Sequence, residues 1–161
     1  MALIVAPAAG AESLCSVAHA DTYHAARGTA AWAALTTDAK EQALRRATDY
    51  MAVYGPRWKG ERTSSTQLLD WPRAGVVANG YEESSETVPL VIGYACAVLA
   101  LKASTTALAP DLGAQKQSMK VGPIETTYAT GARQTPKFQA VDNMLAPYLS
   151  SGAGSVLLVR S

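Results

Sequence analysis

The chain has 161 residues, 48% of them hydrophobic and 17% charged, which is the length of one ordinary domain with enough apolar content to fold without disulfide or metal staples. A formal net charge of +1 excludes a global field strong enough to draw nucleic acid or an anionic membrane, so any charge-driven contact has to be local. A single Phe among many alanines means that the apolar content comes largely from small side chains, which suit close helix packing.

Ala2 to Val5 reads as a short strand; a secretory signal would need a basic start and a longer apolar run. Ser16 is placed to cap a helix through Ala18, Ala20, Tyr23 and Ala26, with Gly28 supplying the left-handed residue beyond its end. A short turn with Trp32 and Leu35 follows. Thr37 then caps a second helix, with Asp38 and Glu41 near the positive end of its dipole and an apolar stripe of Ala43, Leu44, Ala47, Tyr50, Met51 and Tyr54.

From Gly55 to Glu86 the helical period disappears, and so long a loop, 55–86, in a compact domain tends to be functional. Trp58 and Trp71 lie in it beside Arg57, Lys59, Arg62 and Arg73, the residue types that anchor interfaces. Trp58, Trp71 and Arg73 are expected to set the loop's conformation and hold it at a protein contact. The same mixture suits stacking of single-stranded bases, although Glu61 and Asp70 dilute the charge.

Thr87 or a neighbour starts a third helix with Pro89 in its first turn, and Val91, Ile92, Tyr94, Ala95, Cys96, Val98, Leu99 and Leu101 leave it almost no polar face. It has to be covered by the rest of the domain or by a neighbouring subunit. Val88 to Leu101 is too short to span a bilayer, and Lys102 follows at once. Lys120 to Tyr128 suggests one extended edge strand with a Gly-Pro interruption.

Thr135 and Pro136 open a last helix with Phe138, Val141, Met144, Leu145, Tyr148 and Leu149 on one face, its end loosened by Pro147. Beyond the Ser150 to Gly154 hinge, the apolar tail Val156, Leu157, Leu158 and Val159 suits either addition to another sheet or closure of a sheet in its own subunit. The fold class expected is therefore mainly α: a bundle of about four helices with a small β element made of the N-terminal strand, the strand near 120–128 and the tail. Residues 1–151 read as the helical domain and 152–161 as a docking tail.

Cys15, His19 and His24 form the one cluster with metal-ligand residue types. Positions 15 and 19 share a helix face, but 24 lies well around from both and a fourth ligand is missing. As a Cys-His nucleophile pair they lack an oxyanion loop. Phosphate-binding, dinucleotide and nucleophile-elbow motifs are absent from the sequence, and Glu82, Glu83 and Glu86 read as a solvated run before a helix. Cys15 and Cys96 have no disulfide framework around them. Catalytic residues, metal ligands and cofactors are accordingly not expected, and the chain reads as a non-enzyme.

Taken in order, Ala20 to Gly28 (ADTYHAARG) with Trp32, Ala43 to Tyr50 (ALRRATDY), Arg57-Trp58-Lys59-Gly60, Gln67 to Val76 (QLLDWPRAGV), Val88-Pro89 and Val121-Gly122-Pro123-Ile124 make a series that covers most of the chain. It resembles the head-tail adaptor, or head-completion, proteins of long-tailed bacteriophages. The resemblance implies a helical bundle assembled as a ring of about twelve copies that binds itself, the portal protein and a tail-side stopper or tail terminator protein. Packaged double-stranded DNA would pass through its channel, in a virion assembled in the bacterial host cytoplasm and without a membrane partner. In that setting the tail from Gly152 to Ser161 would dock on the portal or an adjacent subunit. Members are often labelled DnaT-like single-stranded-DNA-binding proteins, and a DNA-binding replication accessory protein is the alternative reading. The chain departs from the pattern at Ala6-Pro7-Ala8-Ala9-Gly10, where relatives place an acidic, glycine-containing turn.

Overall fold

The computed structural model describes residues 2–111, 118–121, 124–127 and 136–150. Near the start, the hydroxyl of Ser16 accepts the amide of His19 and begins α1 (Val17–Ala25), and Gly28, at φ 64°, turns the chain beyond it. A single turn, α2 (Ala30–Ala33), buries Trp32. The main amphipathic helix, α3 (Thr37–Met51), is capped one residue earlier than expected, by Thr36, whose hydroxyl accepts the amide of Ala39. Ala43, Leu44, Ala47 and Met51 are buried along its stripe and Tyr54 in the 3₁₀ turn Ala52–Arg57 that continues it, whereas Tyr50 is only half-buried on the flank.

The N-terminal strand is not formed. Val5 makes a single parallel bridge to Ser13, and residues 4 to 13 close on themselves as a loop through Glu12 N–H to Ile4 O (2.8 Å) and Ala6 N–H to Ser13 O (2.9 Å). Within 55–86 two very short antiparallel pairs appear, β1 (Glu61–Arg62) with β2 (Arg73–Ala74) and β3 (Val77–Ala78) with β4 (Tyr81–Glu82). The single interrupted strand expected at 120–128 is instead a pair, β5 (Ser118–Val121) and β6 (Ile124–Thr127), in antiparallel register with Val121 opposite Ile124. The sequence places Gly122 and Pro123 between the two segments, and a proline lacks the N–H that a continuous ladder needs.

The apolar helix α4 (Leu90–Ala103) begins just after Pro89, which stands at the cap and not in the first turn. Ile92, Ala95, Cys96, Ala97, Leu99 and Ala100 are buried, and α1, α3 and α5 (Gln139–Leu145) pack around it. Its cover is therefore supplied by its own chain; Leu90, 64% exposed, is the main apolar side chain left outside. The last helix starts later than the Thr135-Pro136 pair implied, with Phe138 at its cap, and narrows to a 3₁₀ turn, Ala146–Tyr148, at Pro147. Val141, Leu145, Tyr148 and Leu149 complete the core.

A polar seam runs through the centre. Thr48 on α3 accepts the amide of Leu14 at 3.2 Å and lies 3.4 Å from both Ser13 Oγ and Cys96 Sγ, so the N-terminal loop, α3 and α4 meet at one hydroxyl. The architecture is thus broadly α with small β elements. Among the described residues there are five α-helices where about four were expected, because α2 is a single extra turn, and the β element there is built from short paired strands in place of the N-terminal one. The expected tail, 152–161, lies outside the described residues. Among the described residues no helix is long and apolar enough to cross a membrane.

Candidate functional site

The long loop is held from inside by its tryptophans. Trp58 and Trp71, 5% and 1% exposed, meet edge to face at 5.5 Å, Trp71 meets Tyr148 in the same way at 5.9 Å, and Trp58 is bridged to Leu149. Arg73 ties the loop together by donating to the carbonyls of Lys59 (2.8 Å), Gly60 (2.6 Å) and Asp70 (3.4 Å), and its burial lowers the guanidinium pKa from its ordinary value. Lys59 donates to the carbonyls of Pro147 and Val77, and Arg62 lies 3.5 Å from the Asp70 carboxylate. Three of the four loop cations are therefore engaged within the loop, and neither indole is open to solvent. Trp58, Trp71 and Arg73 are brought together as the loop's inner frame; Val156, Leu157, Leu158 and Val159 lie outside the described residues.

The metal-type cluster does not converge. The Cys15 thiol donates to Ser16 O and is pushed up by burial, His24 hydrogen-bonds Ala97 O through Nε2 at 3.0 Å while stacking on Trp32, and His19 packs on Tyr94. Among the described residues no group of three or more His, Cys, Asp or Glu side chains is placed to hold a metal ion. Glu83, from the acidic run, accepts the Tyr148 hydroxyl at 3.1 Å.

A different surface gathers groups suited to binding. The face of α3 that carries Arg46 and Tyr50 continues through Val53 and Tyr54 to Arg57 at helical spacing, and it borders an open groove of about 340 Å³ whose other wall is Lys137, Phe138 and Asp142 at the start of α5. Tyr50 and Phe138 meet edge to face across it, with centroids 5.3 Å apart and planes at 81°, an arrangement that uses one ring's edge and one face of the other. From the end of α4, Lys102 Nζ stands 5.7 Å from the Phe138 centroid. Arg46, Arg57, Lys102 and Lys137 are exposed, and none has a carboxylate within ion-pair distance among the described residues.

The floor of the groove is fixed. Tyr54 donates its hydroxyl to Asp142 Oδ1 at 2.6 Å, and burial together with that carboxylate pushes the phenol well above its ordinary range. Such an arrangement sets the Phe138 ring beside cations that have no carboxylate partner among the described residues, a combination that suits planar, negatively charged chains. Sequence reading assigned Tyr50 and Phe138 to core stripes. The available signal was Arg46, Tyr50 and Arg57 repeating on the flank of one helix, but nothing local places Phe138 and Lys137 opposite them.

A family model described as "Putative DnaT-like ssDNA binding protein" matches residues 1–161. No curated protein and no solved structure gives a match. The whole-chain match corrects the bacteriophage reading: it points to single-stranded-DNA binding, and nothing in the comparisons indicates a head-tail adaptor. The ring of about twelve copies, the portal, the tail-side stopper or terminator, the packaged double-stranded DNA and the virion location were drawn from that resemblance and fall with it. The physical support fails as well, since the helix that seemed to want neighbours is wrapped by α1, α3 and α5 of its own subunit. Of the two functional readings the match favours the alternative, and its description names a binding role and no reaction.

Proposed function

Because the chain belongs to the DnaT-like ssDNA-binding family, we propose that it is a non-catalytic single-stranded-DNA-binding protein and that the strand lies along the groove between α3 and α5. The observation that carries the placement is the Tyr50–Phe138 pair bordered by Arg57, Lys102 and Lys137. A base stacked on an aromatic ring contributes about 1–3 kcal/mol, and the cations neutralise the phosphates on either side. A net charge of +1 is compatible with this, because Arg57, Lys102 and Lys137 act locally and have no ion-pair partner among the described residues. In this reading Trp58, Trp71 and Arg73 act indirectly, by holding the loop segment that follows Arg57.

Fluorescence anisotropy with a labelled oligonucleotide tests the reading. Binding is expected to weaken by more than about tenfold between about 50 and 200 mM salt, since three or four phosphate contacts on a single strand give a log-log slope of roughly −2 to −3. Phe138→Ala is expected to lower affinity by about tenfold at unchanged helicity, and Arg57→Ala or Lys137→Ala to flatten the salt slope. No measurable binding of any oligonucleotide at about 50 mM salt overturns the proposal.

A further inference from the structure

A carboxylate on the wall of a groove that receives a phosphodiester chain repels the phosphates, and a donor on the ligand would offset that repulsion. Asp142 stands on that wall in the first turn of α5. Its Oδ1 is engaged by the Tyr54 hydroxyl, its Oδ2 has no partner among the described residues, and Tyr54 is itself buried. The backbone N–H of Asp142 donates to Phe138 O at 2.9 Å, so the carboxylate follows the aromatic ring by one helical turn on the same face. The groove therefore holds a stacking surface and an oriented acceptor side by side, with Arg57 and Lys137 at its margins.

The bases differ sharply in what they offer such an acceptor. An ionised carboxylate accepts hydrogen bonds and donates none. Guanine presents two adjacent donors, N1–H and the N2 amino group, to the two oxygens of one carboxylate. Adenine and cytosine set one amino group beside a ring acceptor, and thymine sets one N–H between two carbonyls, so each would turn a lone pair toward the carboxylate.

Resting on the single-stranded-DNA reading, we propose that Asp142 makes this groove selective for guanine, with the base packed on Phe138 and Tyr50, its Watson–Crick edge on Asp142 and its flanking phosphates on Arg57 and Lys137. Tyr54 is a positioning residue in this scheme, since it fixes the carboxylate without touching the base.

Anisotropy titrations with short alternating strands of thymine with guanine, adenine, cytosine or inosine, and with oligothymidine, test this. The guanine strand is expected to bind about tenfold more tightly than the adenine, cytosine and thymine strands, as for a two-bond contact, and the inosine strand, which lacks the N2 amino group, to fall between. Asp142→Asn is expected to remove the guanine preference while oligothymidine binding is kept or strengthened, because a negative charge near the phosphates is gone. A role confined to holding the fold would weaken every strand alike. Equal affinity of the unaltered protein for all five strands overturns the guanine inference and leaves the single-stranded-DNA reading standing, whereas no affinity for any of them overturns both.

Discussion

The hydroxyl of Tyr54 and the carboxylate of Asp142 share a 2.6 Å hydrogen bond that ties the turn after α3 to the first turn of α5. A bond of this kind to a charged acceptor contributes about 1–2 kcal/mol where it is partly shielded from water. Tyr54→Phe is therefore expected to lower the unfolding free energy by that amount in a urea titration with an unchanged slope. A variant as stable as the parent would show that the bond contributes nothing net.

Gly60 occupies the left-handed region, φ 65°, directly against β2, where an added Cβ would run into Ala74 O and Val76 Cγ2. Gly60→Ala is expected to cost more than about 2 kcal/mol, since the backbone must move as well as accept a disfavoured φ. Gly75, at φ 69° with open space around it, isolates the second effect, and Gly75→Ala is expected to cost only about 1 kcal/mol. Equal losses at the two positions would remove the steric account of Gly60.

Cys15 and Cys96 are both free and buried, and burial pushes the Cys96 thiol up to about 11 and Cys15 also above its ordinary value. The thiolate is the reactive form, so neither is expected to be alkylated by iodoacetamide at neutral pH in the folded protein, and both after denaturation. Mass spectrometry that finds a label on the native chain within minutes would contradict this burial.

His24 is buried against Trp32 and Tyr23 with its Nε2 on Ala97 O, and desolvation, the largest influence, holds its pKa below the ordinary histidine value. Asp21 and Lys40, paired with each other, and Arg27 are the charged groups nearby that act on it. As pH falls, the unfolded chain takes up this proton first, near about 6.5, while the folded chain does so only at lower pH. The stabilising contribution is therefore full above the ordinary value and is lost as pH drops toward the folded-state value. Urea unfolding of the parent and of His24→Gln is expected to converge as pH falls from about 7.5 to about 5. Parallel curves would mean that His24 titrates alike in both states.

Local features of the chain were legible without coordinates. Ser16 and Gly28 delimit α1, and the 3.6-residue stripe of Ala43, Leu44, Ala47 and Met51 defines α3, because caps and amphipathic periods act over a few residues. Where competing local partners existed the boundaries slipped: Thr36 caps in place of Thr37, and Pro89 stands at the cap of α4. The N-terminal strand failed because β-propensity in four residues has no force without a sheet to join.

By itself, then, the amino-acid order determined a mainly helical chain, the position of its long helices, a tryptophan-bearing loop between them and the absence of recognised catalytic motifs. Tertiary structure alone decided that α4 is covered from within, that Trp58 and Trp71 face inward, and that Tyr50 and Phe138, far apart in the chain, share one groove with Asp142, Arg57 and Lys137. The reason is physical. Helix period and capping are read over one or two turns, whereas burial and the meeting of distant side chains depend on how whole helices pack, and many packings satisfy the same local pattern.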